Sequence, residues 1–203
     1  MPDLADKDPN YWVLSIDDDP FLRLGLESAL GQTKDIELFS ASSASEGLKL
    51  FVELWNNSSG DATRKPSLVL LDQELQGGEK GTDLLSDIID FCGGVPRDAA
   101  KVCMLSASQQ QRDWVKAFEL GAIGWIDKTA VTNLNEFPGR LRDIINNRQV
   151  EWEGSQAQYI MRVQQNMDQR PVLTPRMKQI LVETARQGDL KAAASEIGIA
   201  YNT

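Results

Sequence analysis

The chain has 203 residues, with 21 Lys and Arg against 30 Asp and Glu, no histidine and two cysteines. A content of 41% hydrophobic and 25% charged residues is that of a globular protein able to bury a core, which excludes disorder and collagen-like structure. Without histidine, Ser-His-Asp and Cys-His hydrolysis, His-ligated zinc and imidazole proton shuttling are closed to this chain alone, and its chemistry must come from carboxylates, hydroxyls and amines.

The N-terminus, MPDLADKDPN, is acidic and has neither the basic start nor the apolar core of a signal peptide, and no run reaches the length of a membrane span. A cytoplasmic protein without membrane contact is the expectation. Through residue 147, five short apolar runs alternate with amphipathic stretches. The runs YWVLSID (11–17), IELFS (36–40), SLVLLD (67–72), KVCMLS (101–106) and AIGWID (122–127) read as strands, several of them buried on both faces. Between them, Asp19-Pro20 pairs an N-cap with the residue favoured at the first helical position and predicts a helix up to Gly31. Later helices are predicted from near Ser43, over 81–91, over 109–120 and over 133–147, the last with Leu134, Phe137, Leu141 and Ile144 at helical spacing. Polar loops are expected at 56–66 and 92–100. Cys92 and Cys103 lack metal or redox spacing and read as reduced thiols. Strict alternation of strand and helix predicts an α/β fold with a parallel sheet between helical layers.

Residues 148–172 are polar and Gln-rich, a linker with helical character in which Tyr159, Ile160 and Val163 form a small apolar stripe. Beyond Pro171, Leu173-Thr174-Pro175 opens a helix that Gly188 can close, and a second short helix ends near Gly198. This reads as most of a helix-turn-helix, with the last helix expected beyond Thr203. Residues 148–203 carry seven basic and six acidic residues, whereas the first 147 carry 14 and 24. The N-terminal part should therefore repel nucleic acid, leaving any DNA contact to the C-terminal part.

In an open parallel sheet, ligands bind outside the carboxyl ends of the strands, and here those ends are loaded. The first ends in Asp17-Asp18-Asp19, the third in Asp72, the fourth in Ser106 and the fifth in Asp127-Lys128. A lone acid beyond a strand is often a mere turn former. Several carboxylates converging on one edge repel unless a cation sits among them, which implies a hard divalent ion, with magnesium that keeps some of its water the best match.

The pieces VLSIDDDP, LVLLDQEL, MLSAS and GAIGWIDK resemble, in order, the receiver domains of bacterial two-component response regulators. The resemblance spans residues 11–147. It implies a doubly wound (βα)5 sheet of strand order 2-1-3-4-5, with Asp72 as the phosphoacceptor. Asp18 would be a direct magnesium ligand, Asp17 would hold the ion mainly through water, and the backbone carbonyl of Glu74 would complete the protein ligands. Ser106 takes the place of the switch hydroxyl, Lys128 that of the motif's lysine, and Trp125 that of the switch aromatic, which is expected to move between exposed and buried rotamers. Three departures stand out. Gln76 occupies the place of a usual proline, the loop with Gly77, Gly78 and Gly81 runs one residue longer, and Thr129 replaces a common proline after Lys128. The sequence LTPRMKQILVETARQG followed by AAASEIGIAYNT resembles the start of a LuxR/NarL-type helix-turn-helix.

Together these resemblances imply a receiver (1–147), a linker (148–172) and a partial DNA-binding effector (173–203). Such a protein would accept a phosphoryl group from a sensor histidine kinase and change its homodimerisation and transcriptional output, acting as a switch rather than as an enzyme. A binding-module alternative is a receiver that works unphosphorylated through protein contacts. An enzyme alternative rests on Asp72-Gln73-Glu74, which resembles the DxD of haloacid-dehalogenase-type phosphatases, but that family has its nucleophile on the first strand.

Overall fold

The structure is a computed structural model and describes residues 10–57, 65–93, 100–107, 110–133, 135–146, 158, 160 and 162. Strand β1 (Tyr11–Ile16) leads into helix α1 (Pro20–Leu30), followed by β2 (Ile36–Ala41), α2 (Ala44–Asn57), β3 (Leu68–Leu71), α3 (Gly81–Phe91), β4 (Val102–Ser106), α4 (Gln111–Leu120), β5 (Gly124–Asp127) and α5 (Phe137–Ile145). Short 3-10 turns lie at Gln76–Gly78 and Lys128–Thr132. The five strands form one sheet in the order β2-β1-β3-β4-β5, and every pairing is parallel. The alternating pattern thus folds as the doubly wound arrangement that was expected.

Local chemistry explains where the elements begin. Asp19 caps α1 by accepting the Phe21 N–H at 2.8 Å, with Pro20 at the first helical position. At α2, Ser43 Oγ accepts the Glu46 N–H at 3.2 Å while the Glu46 carboxylate takes the N–H and hydroxyl of Ser42 at 2.7 and 2.8 Å, a near relative of the capping box. Helix α4 begins at Gln111 and ends on Gly121, whose φ of 101° needs glycine. The fifth helix starts later than its apolar spacing suggests. The chain after β5 first makes the 3-10 turn, and α5 begins only at Phe137, with Pro138 in its first turn, where a missing N–H costs nothing.

Alternation along the strands splits the core into two layers. Val13, Leu68, Leu70, Cys103, Leu105 and Ile126 pack with α1 and α5 on one face. Leu14, Ile16, Val69, Leu71, Met104 and Trp125 face the other layer, shared with Phe51 of α2, Leu85 and Ile88 of α3 and Trp114 of α4. Two glycines let the helices approach. A Cβ on Gly47 would lie 2.6–2.9 Å from the Ile16 side chain, and one on Gly81 would lie 1.9 Å from the Asp72 carbonyl oxygen. At the opposite edge of the sheet, Arg142 of α5 makes two hydrogen bonds to Asp35 at 2.7 and 2.8 Å, and Lys101 donates to the carbonyl of Ile145.

Both cysteines are free, Cys103 buried and Cys92 partly so. The described peptide bonds, Lys128–Thr129 included, are trans. No described helix is long and apolar enough to cross a membrane. By compactness the chain forms two units, Met1–Ile160 and Met161–Thr203. In the first, Ile160 is helical and buried, a member of the core layer that contains Trp114 and Trp125. In the second, Arg162 is helical and exposed. The linker readings at Tyr159 and Val163 and the helix-turn-helix over 173–203 lie outside the described residues.

Candidate functional site

Strands β1, β3, β4 and β5 all end at one edge of the sheet, and the last residue of each or the one after it carries the polar group. Ser106 pairs with Asp127 in the register of β4 and β5, and the backbone N–H of Asp72 reaches the Ile16 carbonyl at 2.9 Å. This places Asp17 and Asp72 side by side. Carboxylate oxygens of Asp17, Asp18 and Asp72 lie within 4.8 Å of one another, Asp17 and Asp72 buried and Asp18 half-buried. The Lys128 ammonium joins two of them, at 2.8 Å from Asp17 Oδ2 and 2.7 Å from Asp72 Oδ2.

Burial pushes the Asp17 and Asp72 carboxyls above their ordinary range, a rise that the hydrogen bonds from Lys128 oppose without cancelling. For Lys128, burial favours loss of the proton, but the two carboxylates outweigh it and raise the ammonium's pKa. The loop backbone joins in. Asp19 N–H donates to Asp17 Oδ1 at 2.9 Å, Arg23 donates to the Asp17 carbonyl at 2.6 Å, and the Glu74 N–H donates to the Asp72 carboxylate.

These residues fit a divalent cation. Three clustered carboxylates against the Lys128 ammonium, which bridges two of them, leave negative charge uncompensated, and an all-oxygen donor set suits a hard ion such as magnesium. Ser106 stands buried at the end of β4, on the same face of the sheet as Met104 and Trp125 by strand alternation. Trp125 is held in its buried arrangement, 1% exposed, and its indole N–H has no partner among the described residues. The Glu74 side chain turns away from the cluster and binds Lys80, with Nζ 2.5 Å from both carboxylate oxygens. Sequence reasoning thus placed Asp17, Asp18, Asp72, Lys128 and Ser106 on one edge. It missed the Lys80 pairing, the closeness of Gly81 to Asp72, and the buried Gln73 and Thr82, for which sequence carries no periodic signal.

Residues 13–136 match the family model described as the response regulator receiver domain. Among solved structures, the chain is similar to a LuxR-family two-component response regulator from Aurantimonas sp., with 21% identity, 75% of this chain and 96% of that one covered, and a TM-score of 0.56. It also resembles the signal receiver domain of the response regulator NarL from Mycobacterium tuberculosis, at 20% identity over 66% and 97% of the two chains, with a TM-score of 0.51. The RcsB response regulator of Salmonella typhimurium is similar over 96% of this chain and 95% of that one, at 15% identity and a TM-score of 0.52. No curated protein sequence matches the chain significantly. With the family model covering more than half of the chain, the parallel sheet in receiver order and the acidic edge bridged by Lys128, this chain belongs to the response regulator receiver domain family.

Proposed function

We propose that the protein is a phosphorylation-controlled response regulator that takes a phosphoryl group onto Asp72. The observation that carries this reading is the Lys128 bridge between two buried carboxylates beside a third. A carboxylate attacks a phosphoryl group poorly because both are anionic, so the site must neutralise charge as the bond forms. Magnesium, when bound, would supply part of that neutralisation at the equatorial oxygens. Asp17, Asp18, Asp72 and the backbone carbonyl of Glu74 would hold it. Lys128 holds Asp72 in place and presents an ammonium to the incoming phosphoryl group. In the transfer, an Asp72 oxygen forms the new bond to phosphorus as the bond to the donor's leaving atom breaks, and that atom keeps the electron pair. A sensor histidine kinase is the proposed donor.

Phosphorylation replaces a single charge with about two and adds acceptor oxygens. Ser106, buried at the end of β4, is the hydroxyl that would donate to them. Its movement would shift the packing under α4, where Trp114 and Trp125 share one core layer. Trp125 is the aromatic whose rotamer would respond, biasing homodimerisation. DNA-binding output would belong to residues 173–203, on their helix-turn-helix resemblance and on the likeness to the RcsB regulator, which is described for its DNA interaction. The protein would act on itself alone rather than turn over a substrate.

Intact mass after incubation with acetyl phosphate tests this reading. One added phosphoryl group that needs both magnesium and Asp72, and that is lost in Asp72→Asn, is the expected result. A folded protein that gains nothing would instead support a module acting through unphosphorylated contacts.

A further inference from the structure

The segment between Asp72 and α3 is folded as a small hairpin. Glu74 and Lys80 pair antiparallel, the Leu75 N–H reaches the Glu79 carbonyl at 3.0 Å, and the Gly81 N–H reaches the Gln73 carbonyl at 2.9 Å. Gly77 and Gly78, with φ of 74° and 83°, turn the chain where a side chain would be strained, and buried Leu75 anchors the near strand. The hairpin's first residue bears directly on the site, because the Glu74 N–H donates to the Asp72 carboxylate. Its side chain is a fourth carboxylate, two residues along the chain from Asp72, beside a cluster that already holds three. That carboxylate is turned outward onto the Lys80 ammonium, which sits 2.5 Å from both of its oxygens.

We infer that Lys80 is a positioning residue for phosphoryl transfer, holding the Glu74 carboxylate away from the approach to Asp72. The inference rests on the reading of Asp72 as phosphoacceptor. A free carboxylate beside the pocket would repel an anionic donor, whereas the paired one presents no net charge. The turn at Gly77 and Gly78 gives Lys80 the register opposite Glu74.

The test is the rate at which the full chain gains a phosphoryl group from acetyl phosphate with magnesium. The Asp72 oxygen bonds to phosphorus, the bond from phosphorus to the acetyl oxygen breaks, and acetate departs. Lys80→Met should slow the gain by about threefold, within the range open to an exposed ion pair. Lys80→Arg should match wild type, and adding Glu74→Gln to Lys80→Met should restore the rate. Lys116→Met is the control, since it removes one positive charge from a comparable exposed pair with Asp83 at 2.6 Å and should leave the rate unchanged. The inference is overturned if Lys80→Met matches wild type, if Lys116→Met slows the reaction equally, or if Glu74→Gln fails to rescue. A wild-type chain that gains nothing defeats the phosphoacceptor reading itself, and this inference with it.

Discussion

Lys128 has one ammonium for two buried carboxylates, and the balance between burial and that ammonium sets how the site responds to pH. Asp17 and Asp72 already titrate above the ordinary carboxylate range because burial disfavours their charge, and the hydrogen bonds from Lys128 are the largest influence holding the rise in check. In Lys128→Met that influence is gone, so both pKa values climb further. A carboxyl whose folded pKa exceeds its unfolded one contributes stability that is full below the unfolded value, 3.8 here, and is lost as pH rises through the folded value. In magnesium-free buffer, the variant should approach wild-type stability in acid and fall short by about 3 kcal/mol at neutral pH, the cost of leaving buried charge unpaired. Urea midpoints measured across that range check this, and a deficit that stays constant with pH would count against it. The members of this cluster were legible in the sequence because each ends a strand. Their pairing was not, since no spacing says which carboxylates one lysine will reach.

At the scale of elements, the contacts that aim the site are made by absent side chains. Gly81 begins α3 where a Cβ would stand 1.9 Å from the Asp72 carbonyl oxygen, whereas a Cβ on Gly47 would meet side-chain carbons of Ile16 and no backbone. Both Gly→Ala changes should cost stability, of order 1–3 kcal/mol as overpacking generally does. Only Gly81→Ala, which pushes on the backbone of the phosphoacceptor, should also slow phosphoryl gain by tenfold or more. Equal rates in the two folded variants would contradict this division. Strands and most helices could be read from sequence because apolar runs and caps such as Asp19-Pro20 are local signals. The start of α5 could not be read from its apolar spacing alone. Phe137, Leu141 and Ile144 are correctly periodic, but the chain spends Lys128–Thr132 in a 3-10 turn first, and Pro138 marks where the helix truly begins.

Across the whole molecule, the two core layers connect the acidic edge to the rest of the chain. The layer that holds Met104 and Trp125, neighbours of Ser106 along β4 and β5, also contains Ile160, fifteen positions beyond the last residue of α5. Sequence marked Ile160 as part of an apolar stripe with Tyr159 and Val163, yet its place in a layer was not legible, because so short a stripe in a Gln-rich stretch does not say which part of the core it meets. Ile160→Ala should cost about 2–3 kcal/mol, the usual toll for truncating a buried isoleucine, and unfolding measured by tryptophan fluorescence would report it. An unchanged midpoint would mean that residue 160 contributes nothing to the core.

The central claim is that a phosphoryl group resides on Asp72 and nowhere else, and chemical trapping tests it most directly. Borohydride reduces an aspartyl phosphate to homoserine, so a chain treated with acetyl phosphate and magnesium, then reduced and digested, should carry homoserine at position 72 alone. Homoserine at position 17 or 18 in place of 72, or at no position despite a gain in mass, would contradict the account.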